Sequence, residues 1–198
     1  MSETTDLETL LRLMPPVTPS DTQVDWDRLA ATWGRQFPPT YRRFIEVYGA
    51  GTVQDYLVIV GPEAEDGMRA DTEQAAELWR EARRSPGLTG AEPRLITWGV
   101  DSSGDHLCWD ASDQDPEKWP VLLYSRGDDM WWRHDVGMVG FLVRILRGDF
   151  PHNPLGDVRL FGIQEATYLT RSEYTRRLRE GTDPWTGEPD EFAGMFDY

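Results

Sequence analysis

The chain has 198 residues and carries 20 Lys and Arg against 35 Asp and Glu, which gives a formal net charge of −15. A field this negative repels phosphate backbones and anionic membrane surfaces, so we expect neither nucleic acid nor a membrane as a partner. The hydrophobic content of 39% and the nine tryptophans predict a folded domain.

The number of cysteines and the length of the apolar runs indicate the compartment in which the protein is found. Cys108 is the only cysteine, which excludes an internal disulfide and fits a reducing environment. The first residues are acidic and lack the apolar stretch of a signal peptide. No apolar run approaches the roughly 20 residues that span a bilayer. We therefore expect a cytoplasmic protein.

The first half of the chain predicts three helices, a strand and a fourth helix. Apolar residues at helical spacing predict a helix over residues 3–14, which ends at two prolines, and a linker follows. Asp25 can cap a short second helix that ends at Gly34. A Pro-Pro pair opens the third helix, which ends at Gly49. Residues 53–60 have the composition of one buried strand, and residues 71–84 predict the fourth helix.

The second half predicts a meander followed by a core helix. Four short segments rich in β-forming residues are joined by turn residues: 95–98, 106–109, 119–124 and 130–134. A helix over residues 137–147 ends at Gly148. Beyond it lie a strand candidate at 158–161, a basic helix at 172–179 and an acidic, aromatic tail at 183–198. We expect an α+β fold whose mostly antiparallel sheet is flanked by helices, with residues 25–150 as the domain and 1–24 and 151–198 as extensions.

Several segments, taken in order, resemble the SMI1/KNR4 (SUKH) superfamily. Residues 37–51, FPPTYRRFIEVYGAG, resemble its LPxxYxxFLxxYGGG helix and stop, and residues 96–105, ITWGVDSSGD, resemble its Wxx(D/N)xxGD strand and turn. Trp119-Pro120-Val121 is similar to the segment before the next strand, and the FLxxxLxG-like helix that ends at Gly148 is similar to the closing helix. The resemblance covers roughly residues 25–148, so both ends of the chain lie outside it.

The resemblance implies protein binding rather than catalysis. Bacterial members are mostly immunity proteins for polymorphic or contact-dependent toxins, many of which are nucleases or nucleic-acid deaminases. Fungal members are scaffolds in cell-wall signalling. For this chain we expect a bacterial immunity protein that neutralises a basic toxin domain by occlusion. The alternative is a regulatory or scaffold protein that binds an endogenous partner or a second copy of itself, and the oligomeric state stays open.

Enzyme and metal sites find little support in the residues. Ser103, His106 and Asp110 include the residue types of a hydrolytic triad, but no nucleophile elbow or oxyanion loop accompanies them. The three histidines lack paired spacing, and the acidic loop from Asp110 to Asp115 lacks the glycine and distal glutamate of a calcium loop. We expect a non-catalytic protein without a metal or cofactor.

Acidic residues concentrate in the loops of the predicted meander. If the turns meet at one end of the sheet, they form a negative rim around aromatic side chains that suits a cationic partner. One of the adjacent Trp131 and Trp132 should point away from the core, because neighbouring strand residues face opposite sides. The predicted partner-binding residues are Asp101, Asp105, Asp110, Asp113, Asp115, Asp128, Asp129, Trp131 and Trp132.

Overall fold

The computed structural model describes residues 3–18, 20, 22–62 and 67–189. The predicted tail lies outside the described residues from position 190 onward. The helices are α1 Glu3–Leu13, α2 Trp26–Trp33, α3 Pro39–Tyr48, α4 Met68–Glu81, α5 Met138–Arg147 and α6 Arg171–Arg179. The strands are β1 Gly51–Val53, β2 Leu57–Ile59, β3 Arg83–Arg84, β4 Leu95–Asp101, β5 His106–Asp110, β6 Val121–Ser125, β7 Met130–His134 and β8 Tyr168–Thr170.

Within the described residues the strands form one eight-stranded sheet in the order β3-β7-β6-β5-β4-β2-β1-β8. Every neighbouring pair is antiparallel except β3 and β7. The meander β4–β7 forms from the four segments that the sequence predicts. The prediction of an α+β fold with a mostly antiparallel sheet flanked by helices is confirmed.

Local capping signals place the helix ends where the sequence predicts them. The Asp25 carboxylate accepts a hydrogen bond of 3.0 Å from the backbone N–H of Arg28 and starts α2. Gly34 and Gly148 end α2 and α5 with φ of 62° and 71°. This left-handed conformation carries a steric cost for residues with a Cβ, which is why glycine is favoured there.

Three predicted elements differ from the structure. Residues 53–60 form a tight hairpin rather than one strand: Gln54 and Asp55 both have φ of 51°, and the Tyr56 N–H donates to the Val53 carbonyl at 3.0 Å. The fourth helix ends at Glu81, and the arginines that follow form β3, paired with β7. Residues 158–161 form turns, and the C-terminal strand lies at β8 instead. The last two outcomes depend on pairing between segments distant in sequence, whereas the hairpin is closed by local pairing of Val53 with Leu57.

Both faces of the sheet are covered by helices. On one face, α1, α3 and α5 pack over a large aromatic core that includes Tyr41, Trp98 and Trp109. On the other face, α4 packs Trp79 against Trp131, with ring centroids 5.3 Å apart. This second cluster covers the β4–β7 side of its face.

The terminal segments pack into the same core as residues 25–150. Leu10 and Met14 are fully buried, and the Tyr48 hydroxyl donates to the Met14 carbonyl at 2.6 Å. At the other end of the chain, the Tyr168 hydroxyl donates to the Gly49 carbonyl at 2.8 Å. The division into a domain with two extensions stays a prediction, and both predicted extensions contribute buried side chains.

Candidate interaction surfaces

The strand register places the acidic loops at opposite ends of the sheet. The β4–β5 turn, the β6–β7 turn and the β1–β2 hairpin lie at one end, here called the hairpin end. The β5–β6 loop, with Asp110, Asp113 and Asp115, lies at the other end. A five-residue strand spans about 16 Å, which separates the two groups. Alternate turns of a meander lie at opposite ends, so the condition for a shared rim is met only by the turns at the hairpin end, and the predicted acidic residues do not form one continuous rim.

Asp101 holds the β4–β5 turn and does not project to solvent. Its Oδ2 accepts a hydrogen bond of 2.6 Å from the Tyr56 hydroxyl. Its Oδ1 accepts the backbone N–H groups of Ser103 and Asp105 at 2.9 and 3.0 Å. Burial and the hydrogen bond to Asp101 raise the pKa of Tyr56. The network closes the turn and joins it to the β1–β2 hairpin.

Asp105 connects three segments from the interior. The residue is only 1% exposed. Its Oδ1 accepts the Arg126 N–H at 2.8 Å, and its Oδ2 accepts the Gly156 N–H at 3.2 Å. Burial raises the pKa of this carboxyl group. The sequence predicts that Asp101 and Asp105 contact a partner directly. The structure corrects this, because their oxygens are buried and bond to the protein itself.

At the far end of the sheet, the acidic residues stay near the surface but organise the β5–β6 loop. Asp110 accepts hydrogen bonds from the Ser112 backbone and hydroxyl, and it lies 3.6 Å from Nη1 of Arg133. Asp113 is exposed and accepts the Asp115 N–H at 2.8 Å. The Asp115 carboxylate lies 3.2 Å from the ammonium group of Lys118, the only lysine in the sequence, and the hydrogen bond between them lowers the pKa of Asp115.

The β6–β7 hairpin presents acid and an aromatic side chain together. Asp128 and Asp129 are exposed in the turn, where they accept hydrogen bonds from the Ser125 and Tyr124 hydroxyls at 3.3 and 3.1 Å. Trp132 is 39% exposed, whereas Trp131 is fully buried against α4. Burial removes Trp131 from the residues that can contact a partner. We call Asp128, Asp129 and Trp132 the acidic hairpin.

The residues considered for a triad do not come together. The Ser103 hydroxyl lies 3.2 Å from the Tyr56 hydroxyl, at the hairpin end. His106 is buried beside Tyr124, and burial lowers the pKa of its imidazole. Asp110 lies four residues further along β5, about 13 Å away. In the part of the chain that the structure describes, no group of three or more His, Cys, Asp or Glu side chains could hold a metal ion.

The structure also shows a groove that the sequence did not predict. It lies on the α4 side of the sheet, over β1, β2 and β4, and is lined by residues of α4 and α6, with a volume of about 720 Å³. Val58 in β2 is 45% exposed there. The sequence signal is hidden because residues 56–60 form an almost unbroken apolar run, which favoured a strand buried on both faces.

These features define a mixed α+β protein with candidate binding surfaces at its turns and on one sheet face. The chain belongs to the SMI1-KNR4 cell-wall family, whose model matches residues 25–136, more than half of the chain. This family is one of protein-binding modules, and its members are generally non-catalytic. No curated protein and no solved structure is significantly similar to this chain. None of the helices that the structure describes is both long and apolar enough to cross a membrane.

Proposed function

We propose that the protein is a non-catalytic, cytoplasmic immunity protein of bacterial origin that binds a basic toxin domain and blocks its substrate-binding surface. The observation that carries this proposal is the acidic hairpin. Two exposed carboxylates and a partly exposed tryptophan on one hairpin combine long-range attraction with a side chain that is enriched at binding hot spots.

The electrostatics suit a toxin that acts on nucleic acid. Such a toxin is basic where it holds its substrate, so a protein with a formal net charge of −15 is attracted to that surface. Asp128 and Asp129 then occupy positions that phosphate groups would take, while Trp132 supplies apolar contact. Inhibition by occlusion needs tight binding but no chemical step by the immunity protein.

Coexpression with the toxin encoded by the adjacent gene tests this function. We expect survival of cells with the wild-type protein and a stable complex whose association slows as salt concentration rises. The test variant is Asp128→Asn, Asp129→Asn and Trp132→Ala. Asparagine tolerates the positive φ of 49° at position 129.

The matched control is Asp113→Asn with Asp115→Asn, which removes two charges at the opposite end of the sheet. The acidic hairpin variant should slow association and shorten the lifetime of the complex, while the control keeps most of the wild-type affinity. Absence of both protection and complex formation for the wild-type protein would refute the immunity function. Self-association in the absence of such a partner would favour the scaffold alternative.

A further inference from the structure

The groove between α4 and α6 has an apolar floor that runs across three strands. Register pairs Thr52 with Val58 and Val58 with Val100, so these side chains form one row on the same face of β1, β2 and β4. The row continues through His106 to Tyr124 and Trp131, where α4 and its neighbouring residues cover it. The groove is the uncovered part of this row.

The exposure of the floor is unusual for its position in the sheet. β2 is an internal strand that pairs with β1 on one side and β4 on the other. Val58 nevertheless exposes 45% of its surface, because α4 lies over β4 and β5 and leaves β2 open. A concave surface that is largely apolar, with a few polar groups at its sides, has the general character of a ligand or peptide site.

The two walls of the groove carry opposite charges. Asp71, on α4, belongs to the groove lining, and burial raises the pKa of its carboxyl group. Arg171 lies on the α6 wall. Among the described residues, neither side chain has an ion pair or a side-chain hydrogen bond. A partly desolvated carboxylate without a cation is stabilised when a partner supplies one.

We propose that this groove binds a short peptide segment of a protein partner, with an aliphatic side chain on Val58 and a Lys or Arg paired with Asp71. Asp55 and Asp101, at the hairpin end, add two further acidic groups to the lining, against the single arginine on the far wall, and Asp101 already accepts a hydrogen bond from the Tyr56 hydroxyl. A cationic segment therefore fits better than an acidic one. The inference rests on the proposed function only in assigning the segment to the toxin, and the groove itself is testable without it.

The probe is a terminally blocked hexapeptide of alternating valine and lysine, titrated into the full chain and followed by amide NMR shifts. One control peptide replaces valine with serine, which keeps the charge and removes the apolar contact. A second replaces lysine with glutamate, which reverses the charge. We expect shifts concentrated at the groove for the first peptide, and weaker binding by about tenfold or more for each control.

Paired variants of the protein test the two contacts separately. Val58→Lys should weaken binding of the valine–lysine peptide about tenfold, whereas Val158→Lys, at a valine that is 75% exposed elsewhere, should leave binding unchanged. Asp71→Asn should weaken it several-fold, whereas Glu77→Gln, which removes one exposed charge from the same helix, should not. Unchanged unfolding temperatures show that each variant is folded.

Two results would overturn the groove assignment. One is equal binding of the valine–lysine and serine–lysine peptides with shifts spread over the acidic surface, which indicates general attraction only. The other is an equal effect of Val58→Lys and Val158→Lys. If the peptide binds as expected but the wild-type protein gives no protection, the immunity function fails and the groove stands. If Val58→Lys protects as well as wild type and the peptide does not bind, the groove fails and the function stands.

Discussion

Replacing Asp105 with alanine should destabilise the fold, because this buried carboxylate joins three segments. The variant leaves the backbone N–H groups of Arg126 and Gly156 without their acceptor. A hydrogen bond to a charged group contributes about 1.5–3 kcal/mol, so two contribute about 3–6 kcal/mol. The desolvation that raises the pKa of Asp105 opposes part of this. We expect a net loss of about 2–4 kcal/mol.

Thermal and urea unfolding measure this loss. For a chain of this length, each kcal/mol lowers Tm by about 2–4 °C, so the expected decrease is on the order of 10 °C. Asp105→Asn should lie between wild type and alanine, since its single carbonyl oxygen accepts and its amide group opposes an N–H donor.

The control is Asp113→Ala, which removes an exposed carboxylate that also accepts one backbone N–H. Its effect should stay below about 1 kcal/mol. A similarly small effect for Asp105→Ala would refute the argument that this residue anchors the turns.

Three further predictions concern pH, a thiol and a strand contact. Burial and the nearby charge of Arg144 lower the pKa of His134 to about 4, so the unfolded state takes up the proton first as pH falls. The free energy of unfolding should therefore decrease from about pH 6.5 to pH 4, by at most about 3 kcal/mol from this group. Urea unfolding measured over this pH range should show a flatter profile for His134→Leu than for wild type. Parallel profiles of the two proteins would contradict this. Burial raises the pKa of the Cys108 thiol to about 12. Iodoacetamide at about pH 8 should therefore label this thiol only after denaturation. Rapid labelling of the native protein would show instead that the thiol is accessible. A Cβ at position 51 would lie 2.2 Å from the Leu169 carbonyl oxygen. Gly51→Ala should therefore separate β8 from β1 and increase proteolysis of the C-terminal segment. If the variant resists proteolysis as well as wild type does, the pairing of β1 with β8 is contradicted.

Helices and strands could be predicted from the sequence where nearby residues determine them. Asp25 and Gly34 carry the capping signals of α2, and the four β-rich segments with turn residues between them predict the meander. The exposed Asp128 and Asp129 also follow from turn composition. These features depend on residues a few positions apart, whose conformational preferences act before distant segments come into contact.

The burial of the predicted site residues could not be predicted from local sequence. Asp101 and Asp105 resemble ordinary turn acids in the sequence, but their acceptors are used by Tyr56, Arg126 and Gly156, up to 51 residues away. Trp131 and Trp132 are adjacent, and only the position of α4 decides which one is buried. Such choices depend on which segments meet in space.

The sequence by itself determined the α+β class, the order of the helices and the antiparallel meander, because caps, turns and apolar spacing act locally. Tertiary structure alone decided that β3 pairs with β7 and that β8 completes the sheet next to β1. It also left Val58 open between α4 and α6. Strand pairing and helix coverage are long-range contacts, so the candidate groove emerges only when distant segments are packed together.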